Sequence, residues 1–500
     1  MRLSHLLQGA GIDPVAAPGA DPKIEGTSLD SSRIGPGDLF FAIRGFRTDG
    51  EKFAPEAVRR GARAVVAASP RPEWASPDLA WVQVDQPRRA AGLITREYFG
   101  RPDEALSLVG ITGTNGKTTV AYLLESIVSA GGRRAGRIGT VGYTFGDVER
   151  AAARTTPEAP ELYLLLAEML DASIDTAVME VSSHALALSR VEGAHFAVAA
   201  FLNLGQDHLD FHHDRQSYFE AKARLFDGLG PHQHAVLPAE SPWGDALAKR
   251  TRAEVLTFGR GKGADIRLRN TRTGLDGSTA TLDTPGGPIP VRTRLPAEFN
   301  LDNVAAAAAC ALALGLPPES ITSGVPRLNR VPGRMEFIDR GQPFKVIVDY
   351  AHTSDALATM LRWLSRQTKG RLLALFGCGG ERDQGKRREM GRIAAESVDL
   401  LFLTSDNPRA EPPEEILDQI AEGVAEVEGS AQRCHRFVDR REAIEAVIRA
   451  ARPGDVVVLA GKGHETTQTI GSNVLPFDDR LIATETLESL GFDKEKRADS

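Results

Sequence analysis

Short apolar runs recur along this chain, and most are followed by stretches in which apolar residues return every three or four positions. "LSLVGIT" (106–112), "DTAVMEVSS" (175–183) and "FAVAAFLNLG" (196–205) read as buried strands, each running into a polar, glycine- or serine-bearing loop. From about residue 336 the pattern restarts as "KVIVDY", "RLLALFG", "VDLLFLT" and "DVVVLAG", with helical segments such as "SDALATMLRWLSRQT" (354–368) between them. Upstream, "GDLFFAIRG" and "GARAVVAAS" flank a helical "FAPEAVRRGA", and "AWVQVDQPRRAAGLITREYFG" reads as a strand followed by a helix. The Ala-rich "NVAAAAACALALGL" (303–316) predicts a buried helix. Alternation of this kind predicts α/β units with parallel strands, and ligands in such sheets lie beyond the carboxyl ends of the strands.

Three units are expected: 1–105, 106–335 and 336–500, the first ending at the linker "GRPDEALS" and the final "EKRADS" fraying. Composition narrows the partners. With 42% hydrophobic and 25% charged residues and a net charge of −7, the chain has no basic stripe for nucleic acid, so a small ligand is expected. No run of some 18 apolar residues and no signal-type N-terminus is present, so neither membrane insertion nor export is expected. Cys310, Cys378 and Cys434 have neither disulfide-framework nor zinc spacing, which fits a reducing cytoplasm.

The chemistry-bearing stretches follow the strands. In "LVGITGTNGKTTVAYLLESI", Gly113, Thr114, Asn115, Gly116, Lys117, Thr118 and Thr119 stand between a strand and a helix. Glycines let backbone N–H groups close around phosphate, the helix N-terminus adds partial positive charge, Lys117 neutralises phosphate oxygens and a Thr hydroxyl can reach Mg²⁺. Ile111 stands where the usual P-loop has its first glycine, so the match is a variant one. Glu180, Asp207 and His208 sit beyond the next two strands, and a carboxylate there suits Mg²⁺. His208 alone says little. His184 reads equally as a helix cap or a core residue, and His212 and His213 read as solvated loop residues. On its own, Lys222 in "YFEAKARLF" reads as a surface cation, and "SDNPR" as turn chemistry.

Together, "GTNGKTT", "MEVSSH", "NLGQDHLDFH", "FEAKARLF", "VPGRME", "VDYAHT", "FGCGGERDQGKR", "SDNPR" and "GKGHE" resemble, in order and spacing, the Mur ligases, the ATP-dependent enzymes that extend the peptidoglycan stem peptide. The resemblance runs from about residue 28 to 480 and is strongest to the branch that adds the third residue. It implies a three-domain architecture: a UDP-binding domain, a P-loop-type central ATPase domain and a Rossmann-like C-terminal domain. It also implies transfer of the ATP γ-phosphate to the D-glutamate carboxylate of UDP-N-acetylmuramoyl-L-alanyl-D-glutamate, followed by amine attack on the acyl phosphate. Lys117, His208, Lys222 and Arg334 fall on the family's catalytic positions, and Thr118, Glu180, His208 and Lys222, as a carbamate (N6-carboxylysine), on its Mg²⁺ positions. Asn303, Arg334 and Asp349 fall on further ATP positions, with Asn300, Tyr350 and His352 beside them.

Leu29, Ser31, Thr155, Thr156, Ser182 and Arg190 match contacts to the UDP-muramoyl dipeptide. Ser32, Leu188 and Ala297 depart from the family pattern, where Arg, Gln and Gly are usual. Arg382, Asp406, Asn407, Pro408, Arg409, Gly461 and Glu465 match the site for the incoming amino acid. Arg409 in "DNPR" implies meso-diaminopimelate, because a guanidinium fork reads its distal carboxylate; relatives that add L-lysine replace this Arg. The remaining readings are L-lysine as substrate, a folylpolyglutamate synthase-like or D-alanyl-D-alanine-adding ligase, and a P-loop binding protein or inactive scaffold. A monomer is expected.

Overall fold

The computed structural model describes residues 1–45 and 48–493; the "EKRADS" tail lies outside them. Three sheets succeed one another along the chain, each with helices against it. The first has four parallel strands in chain order, Thr27–Ser28, Leu39–Phe41, Ala64–Ala67 and Ala80–Gln83. Leu39 and Phe41 join one apolar cluster and Phe40 another, so both faces are covered and the run "LFF" needs no alternation.

The central sheet has eleven strands. At its middle, Thr176–Glu180, Ser107–Thr112 and Val198–Phe201 lie side by side and parallel, so the three loops with phosphate and metal chemistry leave one edge together. The predicted Ala-rich helix is Glu298–Ala313; it starts five residues earlier than the periodicity suggests and is buried over most of its length. It packs against the helix Lys117–Ala130 through one large cluster. The sequence reading did not anticipate the antiparallel extension Ile266–Gly274, Gly277–Thr284 and Gly287–Thr293.

The third sheet is ordered Glu336–Ile338, Lys345–Asp349, Val456–Ala460, Leu372–Phe376, Leu400–Leu403, Cys434–Arg436, with only the first strand antiparallel. All four strands expected from residue 345 onward are present and adjacent, which places loops 350–352, 377–382, 404–409 and 461–465 in one row. The helix after "SDNPR" begins at Pro413, where a proline needs no N–H partner. A further hairpin, Thr467–Ile470 with Asn473–Pro476, follows the last of these loops. Among the described residues no helix is long and apolar enough to cross a membrane, and the three cysteines are free thiols.

Candidate active site

A cavity of about 690 Å³ opens over the carboxyl ends of the central strands. Gly113 and Gly116 adopt positive φ (152° and 91°), and a Cβ at Gly116 would overlap the Asn303 side chain. The loop is braced from the next strand: Asn203 Oδ1 accepts the Asn115 N–H at 2.9 Å and its Nδ2 donates to Asn115 O at 3.0 Å. Lys117 Nζ folds back onto the carbonyls of Gly113 (2.8 Å) and Thr114 (2.9 Å). Those acceptors hold the ammonium over the loop in the position where a phosphate oxygen would compete for it. Asn300 Oδ1 accepts Asn303 Nδ2 at 3.0 Å, and both line the cavity.

Thr118 Oγ1 donates to Glu180 Oε2 at 2.9 Å, and Glu180 also accepts the N–H (2.8 Å) and hydroxyl (3.0 Å) of Thr140. Sequence reasoning missed Thr140, which carries no local signal. Thr155 meets the Thr140 hydroxyl at 3.0 Å, while Thr156 donates to Glu180 O at 2.9 Å and accepts the Ser182 N–H at 3.0 Å. Among the described residues no group of three or more His, Cys, Asp and Glu side chains is arranged to hold a metal. The Thr118 hydroxyl and Glu180 carboxylate nevertheless form an oxygen donor pair beside the phosphate loop, which fits Mg²⁺, an ion that takes few protein ligands and keeps phosphate and water.

Lys222 is no surface cation: it is 1% exposed and donates to Gly113 O at 3.0 Å from beneath the loop, 4.3 Å from the Tyr218 ring. Burial, then the Lys117 charge, push its amine well below the ordinary lysine range. His212 also departs from its expected place in solvent. It is buried with Nε2 2.9 Å from Ser183 Oγ, and burial lowers its pKa to about 4, whereas His213 is exposed. His208 lines the cavity in a left-handed backbone conformation (φ 56°), its ring 4.7 Å from that of His184. Burial holds its imidazole far below the usual range, against the pull of Asp207.

The C-terminal domain closes the cavity. Arg334 Nη2 donates to Thr118 Oγ1 at 3.3 Å and lies 4.3 Å from the Tyr350 ring centre. The Asp349 carboxylate accepts the N–H groups of Met335 (2.7 Å) and Ala351 (2.8 Å), so it shapes the turn that carries Arg334. Lys386 donates to His352 O at 2.7 Å, and the Tyr350 ring lies 5.1 Å from that of His464, beside the last strand's loop.

Leu29, Ser31 and Arg190 do not line this cavity. Ser31 Oγ donates to Glu56 at 3.1 Å in the first domain, and Arg190 pairs with Glu158 (3.0 Å) and donates to Thr156 O (3.3 Å). Ser32 bonds Asp30, and Arg33 is exposed.

The C-terminal loops form a second cluster, outside the lining of the cavity. Asn407 Nδ2 donates to Asp406 Oδ1 (3.1 Å) and Glu465 Oε2 (2.9 Å), and Arg409 Nη1 donates to Gly380 O at 2.6 Å. Gly461 (φ 107°) leaves room for Asp406, and Arg382 is exposed beside this row. Arg409 itself has φ 53°, pinned by its N–H on Thr469 O (3.1 Å) and by Gly471 N–H on its carbonyl (2.7 Å). Asp406 to Pro408 therefore do turn the chain, and the turn ends by holding a half-buried guanidinium at the strand end.

Family models match along the chain: the Mur ligase family catalytic domain over 23–99, the Mur ligase middle domain over 111–311, and the Mur ligase glutamate ligase domain over 333–463. A relative from Solibacter usitatus, named UDP-N-acetylmuramoyl-L-alanyl-D-glutamate--2,6-diaminopimelate ligase, is 43% identical over 98% of this chain and 99% of its own. The chain belongs to the Mur ligase family. A Geobacter metallireducens protein of the same name is 42% identical over 96% of this chain and 97% of its own. A solved structure of a ligase of that name matches with a TM-score of 0.67 and 33% identity, covering 97% of this chain and 99% of the other. This Mur ligase therefore has the three-domain α/β architecture of the family, and the three model matches fall one on each of its sheets.

Proposed function

We propose that this Mur ligase joins meso-2,6-diaminopimelate to the D-glutamyl carboxylate of UDP-N-acetylmuramoyl-L-alanyl-D-glutamate at the expense of ATP. The observation that carries the reading is Arg409, held by a left-handed backbone in the loop row that also carries Asn407 and Glu465. A guanidinium fork suits a distal carboxylate and Glu465 an ammonium, and meso-diaminopimelate offers both on one carbon. The relatives named above bear the name of this reaction.

Phosphoryl transfer needs positioning and charge stabilisation more than covalent help from the protein. In this reading the glycine loop and helix N-terminus hold the ATP phosphates. Lys117 exchanges its two loop carbonyls for phosphate oxygens, and Arg334 adds positive charge from the opposite domain. Mg²⁺ bound at Thr118, Glu180 and His208, with Lys222 as a carbamate, would supply charge neutralisation. The substrate carboxylate takes the γ-phosphoryl group as ADP leaves; the amine then attacks the acyl carbon, loses a proton, and phosphate departs as the amide forms. Closure of the C-terminal domain keeps water from the acyl phosphate. Thr155, Thr156, Ser182 and Arg190 would orient the muramoyl dipeptide, Leu29 and Ser31 its uridine. The chain would act as a monomer in the cytoplasm.

The test is phosphate release with ATP, the UDP-muramoyl dipeptide and a panel of amino acids. Strong release with meso-diaminopimelate and almost none with L-lysine is expected; equal kcat/KM for the two would refute the reading.

A further inference from the structure

Lys462, two residues beyond the strand Val456–Ala460, has no exposed surface, does not line the phosphate cavity, and has been given no role above. Taking an ammonium out of water is unfavourable unless protein groups replace its hydration. Its Nζ donates to Glu465 Oε2 at 3.0 Å and to Asn407 Oδ1 at 3.2 Å. Asn407 Nδ2 in turn reaches both Asp406 Oδ1 (3.1 Å) and the same Glu465 oxygen (2.9 Å). Two carboxylates thus converge on one amide nitrogen, an arrangement that repels itself unless a cation sits beside it.

The bonds also assign the two Glu465 oxygens different tasks. Oε2 takes both interior donors, while Oε1 receives no hydrogen bond from the described residues. The side chain keeps 30% exposure, so Oε1 is the edge an incoming ammonium can meet. The Asn407 amide is fixed in the same way, its Oδ1 accepting Lys462 and the Thr469 N–H at 3.0 Å.

We propose that Lys462 is a positioning residue for the amino-acid substrate: it holds Glu465 by Oε2 and Asn407 by Oδ1, so that Oε1 faces the substrate's ammonium group. This rests on the reading that the cluster binds the incoming amino acid. Lys462 acts through Glu465 and does not touch substrate.

The experiment is steady-state phosphate release by Lys462→Met, Glu465→Gln and the double variant. Lys462→Met should raise KM for the amino acid roughly 10- to 100-fold, the size of a lost charge-assisted hydrogen bond, with little change in kcat. KM for ATP and for the UDP-muramoyl dipeptide should stay near wild type, which a distortion spreading through the site would not allow, and the little-changed kcat excludes a loss of folded enzyme. The double variant should be no worse than Glu465→Gln alone. Should Lys462→Met not fold, Lys462→Gln, which keeps N–H donors but no charge, decides on the same readouts. An unchanged amino-acid KM, or penalties that multiply in the double variant, overturns the role of Lys462. A wild type that uses L-lysine and ignores meso-diaminopimelate refutes the substrate reading alone, because the coupling between 462 and 465 is then read on the KM for L-lysine.

Discussion

Asp479→Ala removes half of an ion pair that has no exposed surface on either side. Arg440 Nε and Nη2 donate to the two Asp479 oxygens at 2.8 and 2.6 Å, Nη1 donates to Ser405 O at 3.3 Å and Nη2 to Ala460 O at 3.0 Å. One guanidinium therefore ties the first turns of two helices to the ends of two strands that carry the candidate amino-acid site. Forming such a pair contributes little net stability, because desolvation offsets the attraction, but stranding one charge costs about 3–5 kcal/mol. That is a large share of a typical total of about 5–15 kcal/mol. Because a chain of this size does not unfold in one step, local opening is the better measure. Hydrogen exchange by mass spectrometry on peptides covering 400–407 and 456–465 should accelerate by about two to three and a half powers of ten, at about 1.36 kcal/mol per decade. The KM for the amino acid should rise with it, and exchange in the phosphate-loop helix should not change. Arg440→Met with Asp479→Leu, which strands no charge, should recover most of the protection. Acceleration below about fivefold in Asp479→Ala, equivalent to about 1 kcal/mol, would refute the view that the pair holds these strand ends.

Three further outcomes follow from particular side chains. Arg409→Ala should abolish use of meso-diaminopimelate, by up to roughly 10⁴-fold in kcat/KM, because polar sites reject partners they cannot pair with; ADP affinity, measured by calorimetry, should survive. His212 is held neutral, its pKa lowered from 6.5 to about 4, so between those values the unfolded chain binds the extra proton and stability falls as pH falls. By pH 5.5 about 1.4 kcal/mol of the stability that is present in full above about pH 6.5 has been lost, and His212→Gln should make that limb of a denaturation-versus-pH curve shallower, the lowered His208 and His464 supplying the rest. If Lys222 carries CO₂, labelled bicarbonate should give a carbamate carbonyl signal by NMR that is missing in Lys222→Arg; its absence in active wild-type enzyme would exclude the modification.

Strands followed by loops with glycine, acid and hydroxyl residues are legible in the sequence because both period and chemistry are local. "GTNGKTT", "MEVSSH" and "SDNPR" each lie where a strand end requires them. What stayed hidden depends on distant partners. Lys222 and His212 read as solvent-exposed because the groups that pair with their nitrogens lie far away in the chain, Gly113 for one and Ser183 for the other. Thr140, Lys462 and Arg440 belong to the same class, each defined by a bond to a remote residue, Glu180, Asn407 and Ala460 respectively. The hairpin at 467–476 carries a local signal in its two-residue Gly471-Ser472 loop, but the backbone bonds by which it fixes Arg409 join residues some sixty positions apart and have none.

The backbone holds a second unreadable layer. Several non-glycine residues with positive φ fall at or beside the candidate sites: His208 (56°), Ala297 (77°), Met335 (47°), Glu381 (51°) and Arg409 (53°). Each conformation costs about 1–3 kcal/mol, and such strain persists only where surrounding bonds over-determine it. Met335 is held by Asp349 and Arg409 by Thr469, so the energy that a glycine would save is instead supplied by neighbours. A glycine at 409 would relax the turn and lose the guanidinium; Ala297 keeps a buried methyl in the cluster that holds Met335 and the C-terminal core. Ala297 is the N-cap of the helix that carries Asn300 and Asn303. Its strained turn thus follows Pro296, whose carbonyl accepts Asn300 Nδ2 at 2.7 Å, and Asn300 in turn accepts at 3.0 Å from Asn303, which lies over Gly116.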